Sequence, residues 1–154
     1  MAAPLAYSLV DVSAAIEGPG GNFSLSDAAL ANEGITVAMA EDKVSYTAGA
    51  GGGGMHNVHA AKHGRVTVRY LQNSPKNRQM MELYNAQNEN GGAGGAGQNM
   101  IDITNNVSGD VIQCQYGSIM KIPDITYAQD GGVREWAILF TIIDIRLGDG
   151  NIAI

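Results

Sequence analysis

Three histidines, His56, His59 and His63, fall within one stretch of the chain and form its only cluster with metal-ligand character. On a helix, spacings of three and four would put them on one face, where imidazole nitrogens could hold zinc or another transition metal. The surrounding GGMHNVHAAKHGR works against this arrangement. A helix there would stop at Gly64, and in a strand His56 would face away from His59 and His63. No Asp, Glu or Cys stands close by as a further ligand. They read better as polar loop or interface histidines, and neither a metal nor a cofactor is expected.

The other candidates for chemistry fail on similar grounds. The tracts Gly49–Gly54 and Gly91–Gly97 invite comparison with a phosphate cradle, but that loop needs Lys and then Ser or Thr after its last glycine. Gly54 is followed by Met55-His56 and Gly97 by Gln98-Asn99. Cys114 sits among alternating apolar residues, as a small buried hydrophobe does. No serine lies in a nucleophile elbow. The carboxylates are scattered, with no pair marked for acid–base work. No enzyme signature is present.

The composition agrees with a structural or binding role. The chain has 154 residues, enough for one domain, is 45% hydrophobic and 16% charged, and carries 21 glycines. Its net charge of −6 argues against a dedicated nucleic-acid binder, which needs Lys and Arg against phosphate. A single cysteine excludes an internal disulfide framework. The opening MAAPLAYSLVDVSAA lacks the basic flank and long apolar run of a signal peptide, and the longest apolar stretch, Trp136–Ile143, is too short to span a bilayer. A soluble protein of a reducing compartment is expected. Charge is segmented: residues 1–48 carry six acids against Lys43, residues 55–88 carry five bases against Glu82, and residues 89–154 carry eight acids against three bases. Such segments can pair internally or with the next copy of the chain.

The elements that must carry these residues are mostly strands. Ile35, Val37 and Met39 alternate with Thr36, Ala38 and Ala40; after Glu41-Asp42-Lys43, Val44, Tyr46 and Ala48 alternate with Ser45 and Thr47. This predicts a hairpin over 35–48 with one apolar face and one face of small or hydroxyl side chains. Further strands are expected at 65–70, 101–104 and 111–116, with Ile112, Cys114 and Tyr116 on one side of the last. A first strand is expected from Tyr7 to Ile16, turning at Glu17–Gly21. From Trp136 to Leu147 both sides of the strand are apolar for most of its length, so both are expected to be covered. One helix is predicted: Ser74 as N-cap, Pro75 in the first position, Met80, Leu83, Tyr84 and Gln87 on one stripe, and Asn90-Gly91 at the end. The glycine-rich segments at about 49–63 and 89–98 are expected to be flexible loops. The whole reads as a single mainly β domain, a β-sandwich or barrel with one flanking α-helix.

A β-rich chain without a site, with an apolar last strand and open strand edges, points to self-assembly. A ring of identical subunits can close a barrel across subunit boundaries, and head-to-tail contacts between rings make a filament. At this point the residues carry a resemblance. Tyr7-Ser-Leu-Val-Asp-Val-Ser, Ile16-Glu-Gly-Pro-Gly-Gly-Asn-Phe-Ser-Leu25, Glu33-Gly-Ile-Thr-Val37, Gly64-Arg-Val-Thr-Val-Arg-Tyr-Leu71 with Ser74-Pro75, Gly109-Asp-Val-Ile112 and Tyr127-Ala-Gln-Asp-Gly-Gly-Val-Arg-Glu-Trp136 occur in an order that resembles the tail tube proteins of contractile-tailed bacteriophages.

The resemblance implies a β-sandwich protomer forming hexameric rings that stack into a hollow tube. That tube would lie around a tape measure protein and inside a contractile sheath, with baseplate and tail terminator proteins at its ends. It would lie in the virion, after assembly in the bacterial host cytoplasm, and DNA would pass through it without specific binding. A wall of small, hydroxyl or acidic side chains suits such a conduit, because each cation–phosphate contact would have to break during passage. Thr36, Ala38, Ala40, Glu41, Asp42, Ser45 and Thr47 are the candidates for it. Gly51, Gly53, Met55, His56 and His59 are the candidates for a stacking loop, disordered in a free subunit and ordered between rings. The basic segment 62–78 could meet an acidic surface of the adjacent ring or the sheath. A different class remains open: a soluble β-sandwich accessory domain that binds carbohydrate or metal through His56, His59 and His63.

Overall fold

Period-two alternation governs most of the chain, and in the computed structural model, which describes residues 7–25, 30–89, 91–93 and 95–148, it produces nine strands and one α-helix. A short 3-10 turn, Leu9–Asp11, precedes β1 (Val12–Gly18) and β2 (Gly21–Ser24). Then come β3 (Leu30–Met39), β4 (Val44–Ala48), β5 (Gly54–Val58) and β6 (Gly64–Leu71). The helix α1 (Lys76–Asn88), a 3-10 turn at Gly91–Ala93, β7 (Asn99–Asn105), β8 (Val111–Ile119) and β9 (Val133–Arg146) complete the order. Seven strands form one antiparallel sheet in the order β2-β1-β7-β8-β9-β6-β3, and β4 and β5 form a separate pair.

Chain length forces this sheet to roll. Strands β2 and β3 stand at its two edges, six intervals apart, or roughly 29 Å if the sheet were flat. Ser24 ends β2 and Leu30 begins β3, and that much chain reaches only about 22 Å when fully extended. The edges must therefore curl toward each other. A cross-sheet hydrogen bond agrees: the Tyr70 hydroxyl on β6 donates to the Leu25 carbonyl, just beyond β2. Inside the roll lie Ile16, Leu25, Val66, Val68, Tyr70, Ile101, Ile138 and Phe140, all buried. The expected mainly β fold with one helix is borne out.

The helix plugs this roll. Ser74 Oγ accepts the Lys76 N–H at 3.2 Å just ahead of the helix, but the cap position falls one residue later than expected, on Pro75, which has no side-chain bond to offer. Met80, Leu83 and Gln87 are buried and Tyr84 half-buried, as the stripe predicted; Asn77 is buried with them. Polar groups lock the ends. Asn77 accepts the Trp136 indole N–H at 3.0 Å and donates to the Leu71 carbonyl at 3.0 Å. Gln87 receives the Ile119 N–H at 2.9 Å and donates to the Ile119 carbonyl at 2.8 Å, behaving as a one-residue strand partner for the end of β8. Gly20 lets the β1–β2 turn touch the helix backbone, since a β carbon there would lie 2.8 Å from the Glu82 carbonyl oxygen.

Several sequence expectations need correction. The first strand begins at Val12, because residues Leu9–Asp11 turn as a 3-10 helix. The 35–48 hairpin does not form. Strand β3 pairs with β6 and β4 with β5, so the chain runs from β3 into β4 through a bend, and the turn lies at Gly49–Gly53 instead of Glu41–Lys43. Within the expected 49–63 loop, residues Gly54–Val58 are a strand.

The apolar character of both sides of β9 has a local cause. Trp136, Ile138 and Phe140 are buried, and the next buried residue is Ile143. An interval of three means that the strand changes sides. Strand β8 changes with it: Cys114 is buried, then Gly117 and Ile119. The register between them is unbroken, with Cys114 opposite Ile143 and Gly117 opposite Phe140. The switch falls where Tyr116 takes φ 60° and the Thr141 hydroxyl donates to its carbonyl at 3.3 Å. Such a bend is how strands turn the corner of a rolled sheet. Tyr116 is consequently exposed rather than buried beside Cys114. The second side of β9 is only partly covered: Leu139 and Ile145 remain exposed.

Candidate assembly surfaces

The residues singled out for chemistry do not converge. Among the described residues no group of three His, Cys, Asp or Glu could hold a metal ion. His56 packs its ring against Tyr46, with centroids 5.1 Å apart, and His59 Nε2 lies 3.3 Å from the Ser45 hydroxyl. His63 lies just before β6 and offers its carbonyl to the Ala40 N–H at 3.1 Å. The Cys114 thiol is pushed up to about 12 by burial, with the nearby Asp102 carboxylate adding to the shift. A thiol held protonated is no nucleophile at neutral pH.

What the sequence builds instead are surfaces. The first is the β4–β5 hairpin. Val44 stands opposite Val58 and Tyr46 opposite His56, which makes one face apolar. The other carries Ser45, Thr47 and Asn57, with the Asn57 amide donating to the Thr47 hydroxyl at 3.0 Å, and also Met55. Gly49 N–H to Gly53 carbonyl, 2.7 Å, closes the turn, and Gly52 takes φ 92° within it, a conformation that favours glycine. Of the candidate stacking residues, Gly51 and Gly53 lie in this turn, Met55 and His56 on β5, and His59 at its end.

The hairpin leaves the body through a kinked neck. Its last ladder bond is His59 N–H to the Lys43 carbonyl at 2.9 Å, and the first beyond it is Ala40 N–H to the His63 carbonyl. Two residues, Glu41 and Asp42, lie between these bonds on one strand and three on the other, which is a bulge. No described residue covers the apolar face: Tyr46 is 58% exposed and Val58 72%. A lone two-stranded hairpin is marginal in water, and among the described residues this one has no core beneath it.

The second surface is the outer side of β3, β6 and β9. Thr36 is opposite Thr67 and Ala38 opposite Arg65. Arg69 donates to the Thr36 hydroxyl at 2.9 Å and pairs with Glu135 at 3.5 Å. Arg65 shares a hollow of about 520 Å³ with Lys121, Asp124 and Glu135, so cations and anions balance there. The lumen candidates are thus divided: Thr36 and Ala38 lie on this face, Ala40, Glu41 and Asp42 at the neck, and Ser45 and Thr47 on the hairpin. The third surface is a groove of about 740 Å³ between residues 60–64 and Leu139–Ile142, with Tyr116 and Ser118 in its wall. Sequence reasoning missed Tyr116; the Tyr-Gly pair inside an otherwise regular strand was the available signal for a bend.

Comparison with known proteins gives these surfaces a context. The sequence matches the family model of the Bacteriophage PhiTE tail tube protein over residues 4–148. No curated protein matches the sequence. The fold is similar to a chain of the anti-feeding prophage (AFP) baseplate, solved with 6-fold symmetrisation, at TM-score 0.57 and 12% identity, covering 97% of this chain and 99% of that one. A chain of the sheath/tube terminator of an extracellular contractile injection system, PVC, matches at TM-score 0.56 and 10% identity, with 94% and 99% covered. A chain of the PVC sheath–tube complex in the extended state matches at TM-score 0.50 and 12% identity, with 87% and 88% covered.

Proposed function

The chain belongs to the bacteriophage PhiTE tail tube protein family, a structural family without catalytic chemistry, and from that premise we propose that it stacks as six-membered rings into a hollow conduit for DNA ejection. The observation that carries the assembly step is the uncovered hairpin face of Val44, Tyr46 and Val58, which a free subunit leaves in water. Contact with sister copies would remove it from solvent.

The same reading assigns the outer face of β3, β6 and β9 to the lumen. Its arginines are matched by carboxylates, so a passing phosphate would meet little net attraction. Thr36 and Ala38 remain part of that wall, whereas Ser45 and Thr47 go with the hairpin. A tape measure protein would occupy the bore before ejection. Sheath, baseplate and terminator proteins are the outer and end partners, in keeping with the sheath–tube, baseplate and terminator assemblies in which the structural neighbours occur. The virion tail is the site of action, reached from the host cytoplasm where assembly takes place.

Sedimentation velocity over a concentration series tests the proposal. The purified chain should pass from subunit to rings or tubes at micromolar concentration, while a Val44→Ser, Tyr46→Ser, Val58→Ser variant should stay a folded monomer. A wild-type chain that remains monomeric throughout would refute it.

A further inference from the structure

Resting on the tube-subunit reading, we propose that the groove beside Tyr116 is the seat for the β4–β5 hairpin of a second copy of this chain. Tyr116 is the only non-glycine residue with positive φ among the described residues. Bulky side chains rarely adopt that backbone conformation, and glycine would turn the same corner without strain. Strained positions of this kind persist where a function holds them. The Tyr116 ring does not serve the subunit core, for it is 56% exposed and lines the groove. Tyrosine is among the side chains enriched at the anchor positions of protein interfaces.

The chemistry of the groove selects its occupant. Ala60, Ala61, Leu139 and Ile142 make its wall apolar, which suits the Val44, Tyr46 and Val58 face. Lys62 adds positive charge on one side, with Asp144 only 3.9 Å away as its exposed partner in the free subunit. The hairpin carries Glu41 and Asp42 at its neck, the complementary sign. A subunit's own hairpin cannot fill the seat. Residues 60–63 are at once the hairpin's neck and the groove's wall, and the Lys43–His59 and Ala40–His63 bonds tie the hairpin to the ends of β3 and β6 through that neck. The occupant must therefore come from another copy.

Two measurements test this. Tyr116→Gly should leave the thermal midpoint of the subunit unchanged or raised, because the backbone strain is relieved, yet should raise the concentration for half-assembly at least tenfold. In the second, Val58→Cys and Leu139→Cys chains, prepared separately and mixed, should form an intermolecular disulfide under mild oxidation, much more than when each variant pairs one introduced cysteine with wild type. Tubes that form equally well from Tyr116→Gly, or tubes that yield no cross-link, would overturn the seat and leave the tube-subunit reading intact. Failure of the wild-type chain to assemble at all would overturn both. Should Tyr116→Gly lower the midpoint, the cross-link alone decides.

Discussion

The Phe140 ring lies against Gly117: a β carbon built on that glycine would come within 2.3 Å of the ring. The two residues are opposite each other on β8 and β9, next to the corner where both strands change sides. Gly117→Ala should therefore destabilise the subunit by about 1–3 kcal/mol through overpacking. Urea denaturation should show a lower midpoint with an unchanged slope.

Gln87 is buried and bonded to both backbone groups of Ile119, and it also accepts from the Asn99 amide at 3.1 Å. Gln87→Leu keeps the volume but strands these partners without solvent. A loss of about 2–4 kcal/mol is expected, since each buried group left unpaired costs roughly 1–3 kcal/mol. Amide exchange at Ile119 should accelerate more than at Val66, in the middle of the sheet.

Cys114 provides a pH signature. Its thiol is raised from the ordinary 9.0 to about 12 in the folded chain, first by burial and then by Asp102. The unfolded chain releases this proton first, so stability from this group is full below pH 9 and falls as pH rises from 9 toward 12. Cys114→Ala should flatten that alkaline decline. A maleimide at pH 7.5 should label the wild-type thiol only after unfolding.

Exposed charge flanks the proposed intercopy contact, with Lys62 and Asp144 only 3.9 Å apart and both more than half exposed. Raising salt from about 0.1 M to 1 M shortens the screening length from about 10 Å to 3 Å. Half-assembly should then need a higher concentration, measured by light scattering. Assembly that strengthens with sodium chloride would mean that Lys62, Glu41 and Asp42 contribute nothing.

The sequence spoke most clearly where one period ran uninterrupted. Val66, Val68 and Tyr70 on β6, Ile101 and Ile103 on β7, and the Met80–Leu83–Gln87 stripe on α1 are all buried as their spacing implied. It misled where a backbone torsion reset the period. Tyr116 at φ 60° moves the buried side of β8 and β9 by one residue, and a strand that is half-buried on each side in turn looks buried on both. Alternation also reports a face but not a partner. Ile35–Met39 and Val44–Ala48 were readable as strands, yet nothing in their pattern says that β3 pairs with β6 across an inserted hairpin. The assembly surfaces were legible only as an excess of apolar residues without a core to receive them.

A cryo-electron-microscopy reconstruction of the purified, concentrated chain tests the central claim most directly. It should show a hollow tube of stacked rings, with Thr36, Ala38 and Arg69 facing the axis and Tyr46 and Val58 covered by a neighbouring copy. Single particles no larger than one subunit, or a tube in which the hairpin face stands free in solvent, would contradict it.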